Sequence, residues 1–214
     1  VGLRGQSHLE LALRRSDTDI IAMCDIQQPM MDRALKMVAD AGRAKPTMIL
    51  DGPYGYRKLL QNKDIDAVII GTPWEWHTIQ CLDAMKAGKY VGCEVITGMT
   101  IDECWQLVHT SEQTGMPLMM LENVCYRRDI MAIMNMVRQN LFGELVHLQG
   151  GYQHHLREIK FNNGTSARGA EFGEKAFSEA QWRTAHSVNR NGDLYPTHGI
   201  GPLAMMVNIN RGNR

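Results

Sequence analysis

Two pairs of side chains have the types and spacing for proton transfer. Tyr152 stands two residues before His154, and Tyr195 stands three before His198. In a strand alternate residues share a face, so Tyr152 and His154 point together and His155 points away. A tyrosine and a histidine on one inner face suit proton transfer, because burial and neighbours tune both toward neutral pH. Tyr195 and His198, spaced around Pro196, would face one pocket at a helix start, beside Thr197. Glu122, where the apolar run Pro117-Leu118-Met119-Met120-Leu121 stops, adds a carboxylate. The plainer alternatives are a Tyr–His surface strand, helix capping around Tyr195–His198, and a solvated loop acid. Adjacent histidines hint at metal, but their divergent directions make a poor chelate. No further ligand set at zinc spacing accompanies them, and no metal is expected.

A second group of residues has the chemistry of a dinucleotide site. The opening Val1-Gly2-Leu3-Arg4-Gly5 reads as the latter part of Gly-x-Gly-x-x-Gly, with a glycine and a strand expected ahead of Val1. On that reading the chain is a fragment lacking both ends. Glycines there let the backbone turn tightly and approach a pyrophosphate, whose charge suits the free N–H groups and positive end of the following helix. Asp25 stands 20 residues beyond Gly5 at a strand end, where an acid hydrogen-bonds the adenosine ribose and repels a 2′-phosphate. NAD is therefore expected over NADP. Three more strand ends fall on the same edge: Gly71-Thr72-Pro73-Trp74-Glu75-Trp76-His77, Cys93-Glu94-Val95 and Leu121-Glu122-Asn123. His77 is read equally as a cofactor contact or a helix-start residue.

The elements that must hold these residues alternate. Strands are expected at 19–25, 46–50, 66–71, 90–94 and 117–122, with helices at about 8–13, 30–41, 77–87, 101–114 and 128–140. Continuous apolar strands separated by helices predict a parallel sheet covered on both faces. The fold class expected is α/β: a Rossmann-type doubly wound parallel sheet lacking its first strand, over 1–125, then the start of a truncated α+β domain over 126–214. A longer strand is expected at 143–152, a polar surface excursion at 158–180, and an apolar helix after His198.

Composition narrows the partners. Lys plus Arg and Asp plus Glu number 23 each, so the formal net charge is zero and no electrostatic case exists for nucleic acid or an anionic membrane. No stretch reaches the length of a membrane span. The five cysteines are never spaced Cys-x-x-Cys and are expected to be free, buried thiols, and the 15 methionines to be core filler. Localisation, secretion or periplasm included, and assembly into a homo-oligomer stay open.

Taken together, Gly2-Leu3-Arg4-Gly5-Gln6-Ser7-His8, Thr72-Pro73-Trp74-Glu75-Trp76-His77, Glu94-Val95, Glu122 to Arg128, Gly151-Tyr152-Gln153-His154 and Asn191 to Gly199 resemble glycoside hydrolase family 109 along the whole chain. That family comprises NAD-dependent α-N-acetylgalactosaminidases within the glucose-fructose oxidoreductase/inositol dehydrogenase superfamily. The Trp-Glu-Trp-His and Leu-Tyr-Pro-Thr-His segments are the specific ones. The resemblance implies NAD contacts from Leu3, Arg4, Asp25, Trp74, Glu75, Trp76, His77, Glu94, Val95, Asn123 and Tyr195. It implies sugar contacts from Tyr152, Arg183, Tyr195, Pro196, Thr197 and His198, on a glycan or small molecule ending in N-acetylgalactosamine. Tyr152, His154, Tyr195, His198 and Glu122 are the candidate proton carriers.

The implied reaction oxidises the sugar 3-hydroxyl transiently, which makes the C2 proton acidic. Elimination of the C1 oxygen, addition of water and return of the hydride follow, with no net use of NAD. NAD-dependent glycosidases of this kind do not need two opposed carboxylates. Where ordinary dehydrogenases of the superfamily carry Glu-Lys-Pro, this chain has Glu94-Val95-Ile96. The alternative reading is an NAD-dependent sugar dehydrogenase, and a third is a sensor that binds without turnover.

Overall fold

The structure, a computed structural model, describes residues 1–153 and 179–211. Two units divide it, Val1–Met120 and Leu121–Arg214. The first alternates helices and strands: α1 (Leu3–Leu13), β1 (Ala22–Cys24), α2 (Gln28–Asp40), β2 (Thr47–Ile49), α3 (Tyr56–Leu60), β3 (Ala67–Ile70), α4 (Trp74–Lys86), β4 (Tyr90–Cys93), α5 (Ile101–Thr114) and β5 (Leu118–Met120). Every ladder is parallel. The expected single sheet is two, β1-β2 and β3-β4-β5, because no described strand bonds to both β1 and β3.

Local sequence explains the helices. In α2, Met31, Ala34 and Val38 share one face at helical spacing and are buried with Leu9 and Met23 in a small core. Helix α4 buries Cys81, Ala84 and Met85 against Val91 and Cys93 of β4 and Leu107 of α5. Helix α5 is bounded by chemistry at both ends. Thr100 accepts the Glu103 N–H at 3.2 Å while the Glu103 carboxylate accepts the Thr100 N–H at 2.9 Å, and Gly115 closes the helix at φ 69°. Thr100→Ala is expected to cost about 1 kcal/mol in urea unfolding of the protein, and Thr100→Ser almost nothing.

In the second unit a 3-10 turn (Asn123–Tyr126) leads into α6 (Arg128–Arg138), and α7 (Glu179–Asn189) and α8 (Thr197–Met206) follow. The unit boundary falls before the one expected at residue 125, because Glu122 and Cys125 pack on α8. The strand expected at 143–152 does not form. Its backbone finds no partner strand among the described residues, and Val146 is 92% exposed. The excursion expected at 158–180 lies outside the described residues except for the start of α7.

All five cysteines are free, but only Cys81, Cys93 and Cys125 are buried. The methionines divide likewise. Met31 and Met85 fill core, whereas Met119, Met120 and Met131 lie exposed, two of them on β5 and one on α6, so the expectation of core filler holds only in part. No described helix is long and apolar enough to cross a membrane.

Candidate active site

The first unit builds a cradle at the start of α1. Its N-cap is Gly2, no side chain caps it, and its first turn holds no acid, so the leading N–H groups carry the positive helix end uncompensated. A Cβ placed on Gly2 or Gly5 would meet nothing within 4 Å. Across the turn, Gly71 at the end of β3 is close enough that its own Cβ would lie 3.4 Å from the Gly5 nitrogen. An open, uncapped helix start beside a strand end fits a pyrophosphate.

Asp25 follows β1, as expected of a ribose-binding acid. One of its oxygens accepts the Gln27 N–H at 2.9 Å.

Glu94, just past β4, is the charged centre of this unit. It is 5% exposed, and its Oε1 accepts Arg4 Nε at 2.6 Å and meets His8 Nε2 at 2.5 Å. Burial works against its charge, but the hydrogen bonds from His8 and Arg4 and the Arg4 charge outweigh it. The carboxyl is held below the usual carboxylate range. Sequence reasoning missed His8. It stands four residues after Arg4 on one face of α1, and that spacing was the available signal. Val95 is buried next to Glu94, and the Val95–Ile96 peptide is cis.

Of the Trp-Glu-Trp-His segment, Trp74 is buried, Glu75 exposed, and Trp76 stacks edge-on against Tyr54 at 5.3 Å. His77 is 1% exposed, with Nδ1 2.7 Å from the Ile96 oxygen and Nε2 2.7 Å from the Thr72 oxygen. Both ring nitrogens thus face backbone rather than a ligand, and His77 ties α4 to the loop carrying Glu94 and Val95. Burial pushes its pKa below the ordinary 6.5, despite the two carbonyls that favour the proton.

The sign of the consequence follows from the depressed value. Unfolded, His77 binds a proton near pH 6.5. Folded, it resists until lower pH, so stability present above 6.5 is lost as the pH falls through the folded value. The melting temperature is expected to decline between about pH 7.5 and 5.5, and His77→Gln, which cannot titrate, to flatten that decline. An unchanged slope in the variant would refute the assignment. Glu94 acts in the same sense, but only below its ordinary 4.5.

The second unit gathers four of the five candidate proton carriers, Tyr152, Tyr195, His198 and Glu122. His198, in the first turn of α8, has its side chain 9% exposed, and Nδ1 sits 2.6 Å from Glu122 Oε1. The same oxygen accepts the Val124 N–H at 3.0 Å, fixing the carboxylate across the 3-10 turn. Two aromatic rings meet the imidazole near perpendicular, Tyr152 at 4.6 Å and 80° and Tyr195 at 4.7 Å and 81°. The Arg183 guanidinium lies over Trp182 at 4.5 Å and 6.0 Å from the Tyr195 ring. Glu122 Oε2 and Thr197 Oγ1 are buried without a partner among the described residues. Cys125 stays protonated, because burial and the Glu122 charge push its thiol up. Pro196 caps α8 and Asn123 is exposed in the 3-10 turn. His154 lies outside the described residues, and among those described no three metal-ligating side chains gather.

A parallel-stranded unit with a glycine turn opening its first helix has the architecture of a dinucleotide-binding domain, and a separate unit holds a Tyr–His–Glu cluster. Comparison with known proteins bears on both. Residues 1–122 match the oxidoreductase family with an NAD-binding Rossmann fold, and residues 126–214 match the glycosyl hydrolase 109 C-terminal domain. The whole chain is 53% identical to a glycosyl hydrolase family 109 protein of Stenotrophomonas maltophilia, covering 48% of it, and 51% identical to an alpha-N-acetylgalactosaminidase of Tannerella forsythia, covering 47%. It thus spans about half the length of these relatives. Among solved structures, apo scyllo-inositol dehydrogenase from Lactobacillus casei shares the fold at TM-score 0.58 and 20% identity, over 67% of this chain and 41% of that one. The chain belongs to the oxidoreductase family with an NAD-binding Rossmann fold through its first unit, and its second carries the match to the glycosyl hydrolase 109 C-terminal domain.

Proposed function

We propose that the full-length protein hydrolyses α-linked terminal N-acetylgalactosamine, using NAD that is restored in each turnover. The observation that carries the reading is the Glu122–His198 pair with Tyr152 and Tyr195 against the imidazole. It is a proton-transfer cluster in a chain with an NAD-binding unit. The name of the Tannerella forsythia relative supports the sugar.

When bound, NAD would supply a hydride acceptor, and then a donor, at the sugar C3, the proton of the 3-hydroxyl passing to water and being recovered as the hydride returns. The chain's own residues move protons and hold the sugar. Glu122 accepts the Nδ1–H of His198, which fixes the tautomer and leaves the Nε2 lone pair as base. Nε2 takes the C2 proton, and the Glu122 carboxylate offsets the imidazolium charge. A tyrosine hydroxyl protonates the departing glycosidic oxygen. Water then delivers hydroxide to C1 and its remaining proton to the tyrosine, and His198, having exchanged its proton with solvent, protonates C2. Arg183, beside Tyr195, orients a sugar oxygen. In the cradle, the uncapped N–H groups of α1 hold the pyrophosphate, and Asp25 takes the ribose.

Incubating the full-length protein with an aryl α-N-acetylgalactosaminide tests the reading. Aryl alcohol should appear without accumulating NADH, and titration of the cofactor-free protein should show NAD binding independent of sugar. NADH rising in step with sugar consumed would instead mark a dehydrogenase.

A further inference from the structure

We propose that Gly150, Gly199 and Gly201 are positioning residues for the proton-transfer cluster, setting how closely Tyr152 and Glu122 approach His198. The inference rests on the glycosidase reading only for its kinetic consequence. Gly199 and Gly201 sit in the first half of α8, where glycine is a poor helix former, and neither has a backbone angle that requires glycine. What each supplies is the missing Cβ.

On one side of α8, a Cβ at Gly201 would lie 3.1 Å from Glu122 Cγ and 3.2 Å from Cys125 Sγ. Gly201 is three residues after His198 and so shares its helix face. It is therefore the floor on which Glu122 rests while it reaches Nδ1 at 2.6 Å.

Around the helix, a Cβ at Gly199 would lie 3.3 Å from Gly151 Cα, with the Gly151 N and C atoms at 3.6 Å. Reciprocally, a Cβ at Gly150 would lie 2.9 Å from the Gly199 carbonyl oxygen and 3.3 Å from Leu203 Cδ1. Those neighbours are largely backbone and cannot rotate away. The segment carrying Tyr152 thus lies backbone to backbone on the first turn of α8, and the next residue in the chain brings its ring to 4.6 Å from the imidazole. Gly151 itself is different: a Cβ there meets nothing within 4 Å, which makes Gly151→Ala an internal control.

The test uses the full-length protein with Gly201→Ala, Gly150→Ala and Gly151→Ala, each alone and in a Glu122→Gln background. Gly201→Ala is expected to lower kcat about 10–100-fold with little change in KM and no change in NAD affinity. In the Glu122→Gln background it should cost little more, since the contact it disturbs is already lost. Gly150→Ala should lower kcat on its own account in both backgrounds, and Gly151→Ala should be neutral. A parallel NMR measurement reads the His198 ring-nitrogen shifts, which report the tautomer that the Glu122 contact selects. Gly201→Ala should move these shifts toward those of Glu122→Gln, while Gly151→Ala leaves them in place. Equal losses from Gly201→Ala in both backgrounds, with unmoved His198 ring-nitrogen shifts, would overturn the inference, whatever happens to melting temperature. A wild-type protein without glycosidase activity would remove the functional reading while the NMR shifts still judge the glycines.

Discussion

His198→Asn is expected to lower kcat by about 10²–10⁴-fold, the usual contribution of a positioned general acid–base group, with NAD affinity unchanged. The argument is geometric. His198 is nearly buried, its Nδ1 is committed to Glu122, and Tyr152 and Tyr195 meet its ring. Asparagine removes the base and keeps a polar side chain of similar reach at the first turn of α8. Pre-steady-state kinetics sharpen the result. If His198 takes the C2 proton, one equivalent of reduced cofactor should form and persist in the variant, because oxidation at C3 precedes the blocked step. Turnover within a few-fold of wild type would show that the proton travels by another group.

Glu122→Gln carries the second large effect. Its carboxylate is 4% exposed, and one oxygen serves both the Val124 N–H and His198. Glutamine keeps the shape and can keep the Val124 bond. It loses the charge that stabilises an imidazolium, and turned the other way its NH2 group would select the tautomer with the proton on Nε2. A drop in kcat of about 10²–10⁴-fold is expected, comparable to exchanging the orienting acid of a catalytic triad for its amide. The two effects should not add, so Glu122→Gln with His198→Asn should be scarcely slower than His198→Asn alone. Additive losses, measured as kcat/KM, would mean that Glu122 acts independently of the histidine.

Much of the first unit was legible because its signals are local. Helix α5 emerged with the expected bounds, since Thr100 to Glu103 forms a capping box and Gly115 ends the helix. Strands β1 to β5 were each found, but shorter than their apolar runs, because ladder partners and not hydropathy decide where pairing stops. The expected strand at 143–152 failed for the same reason. Its alternation was real, but a strand needs a neighbour, and glycines 150 and 151 lie against a helix instead. The closeness of Tyr195 and His198 was legible from their spacing, whereas the long-range pairings were not. Glu122 and His198 meet across 76 residues and His8 and Glu94 across 86, distances over which spacing carries no information. His77 shows the opposite limit. A histidine in a conspicuous motif spends both ring nitrogens on backbone carbonyls, which only the packing of α4 reveals.

The most direct measurement is release of sugar from an aryl α-N-acetylgalactosaminide by the full-length protein in deuterated water without added NAD, with the product read by NMR. Proton removal and return at C2 through His198 predicts free aryl alcohol, deuterium at C2 and none at C3, since the hydride there is returned and not exchanged. Free aryl alcohol with protium retained at C2 under full turnover would contradict the elimination route and the role given to His198.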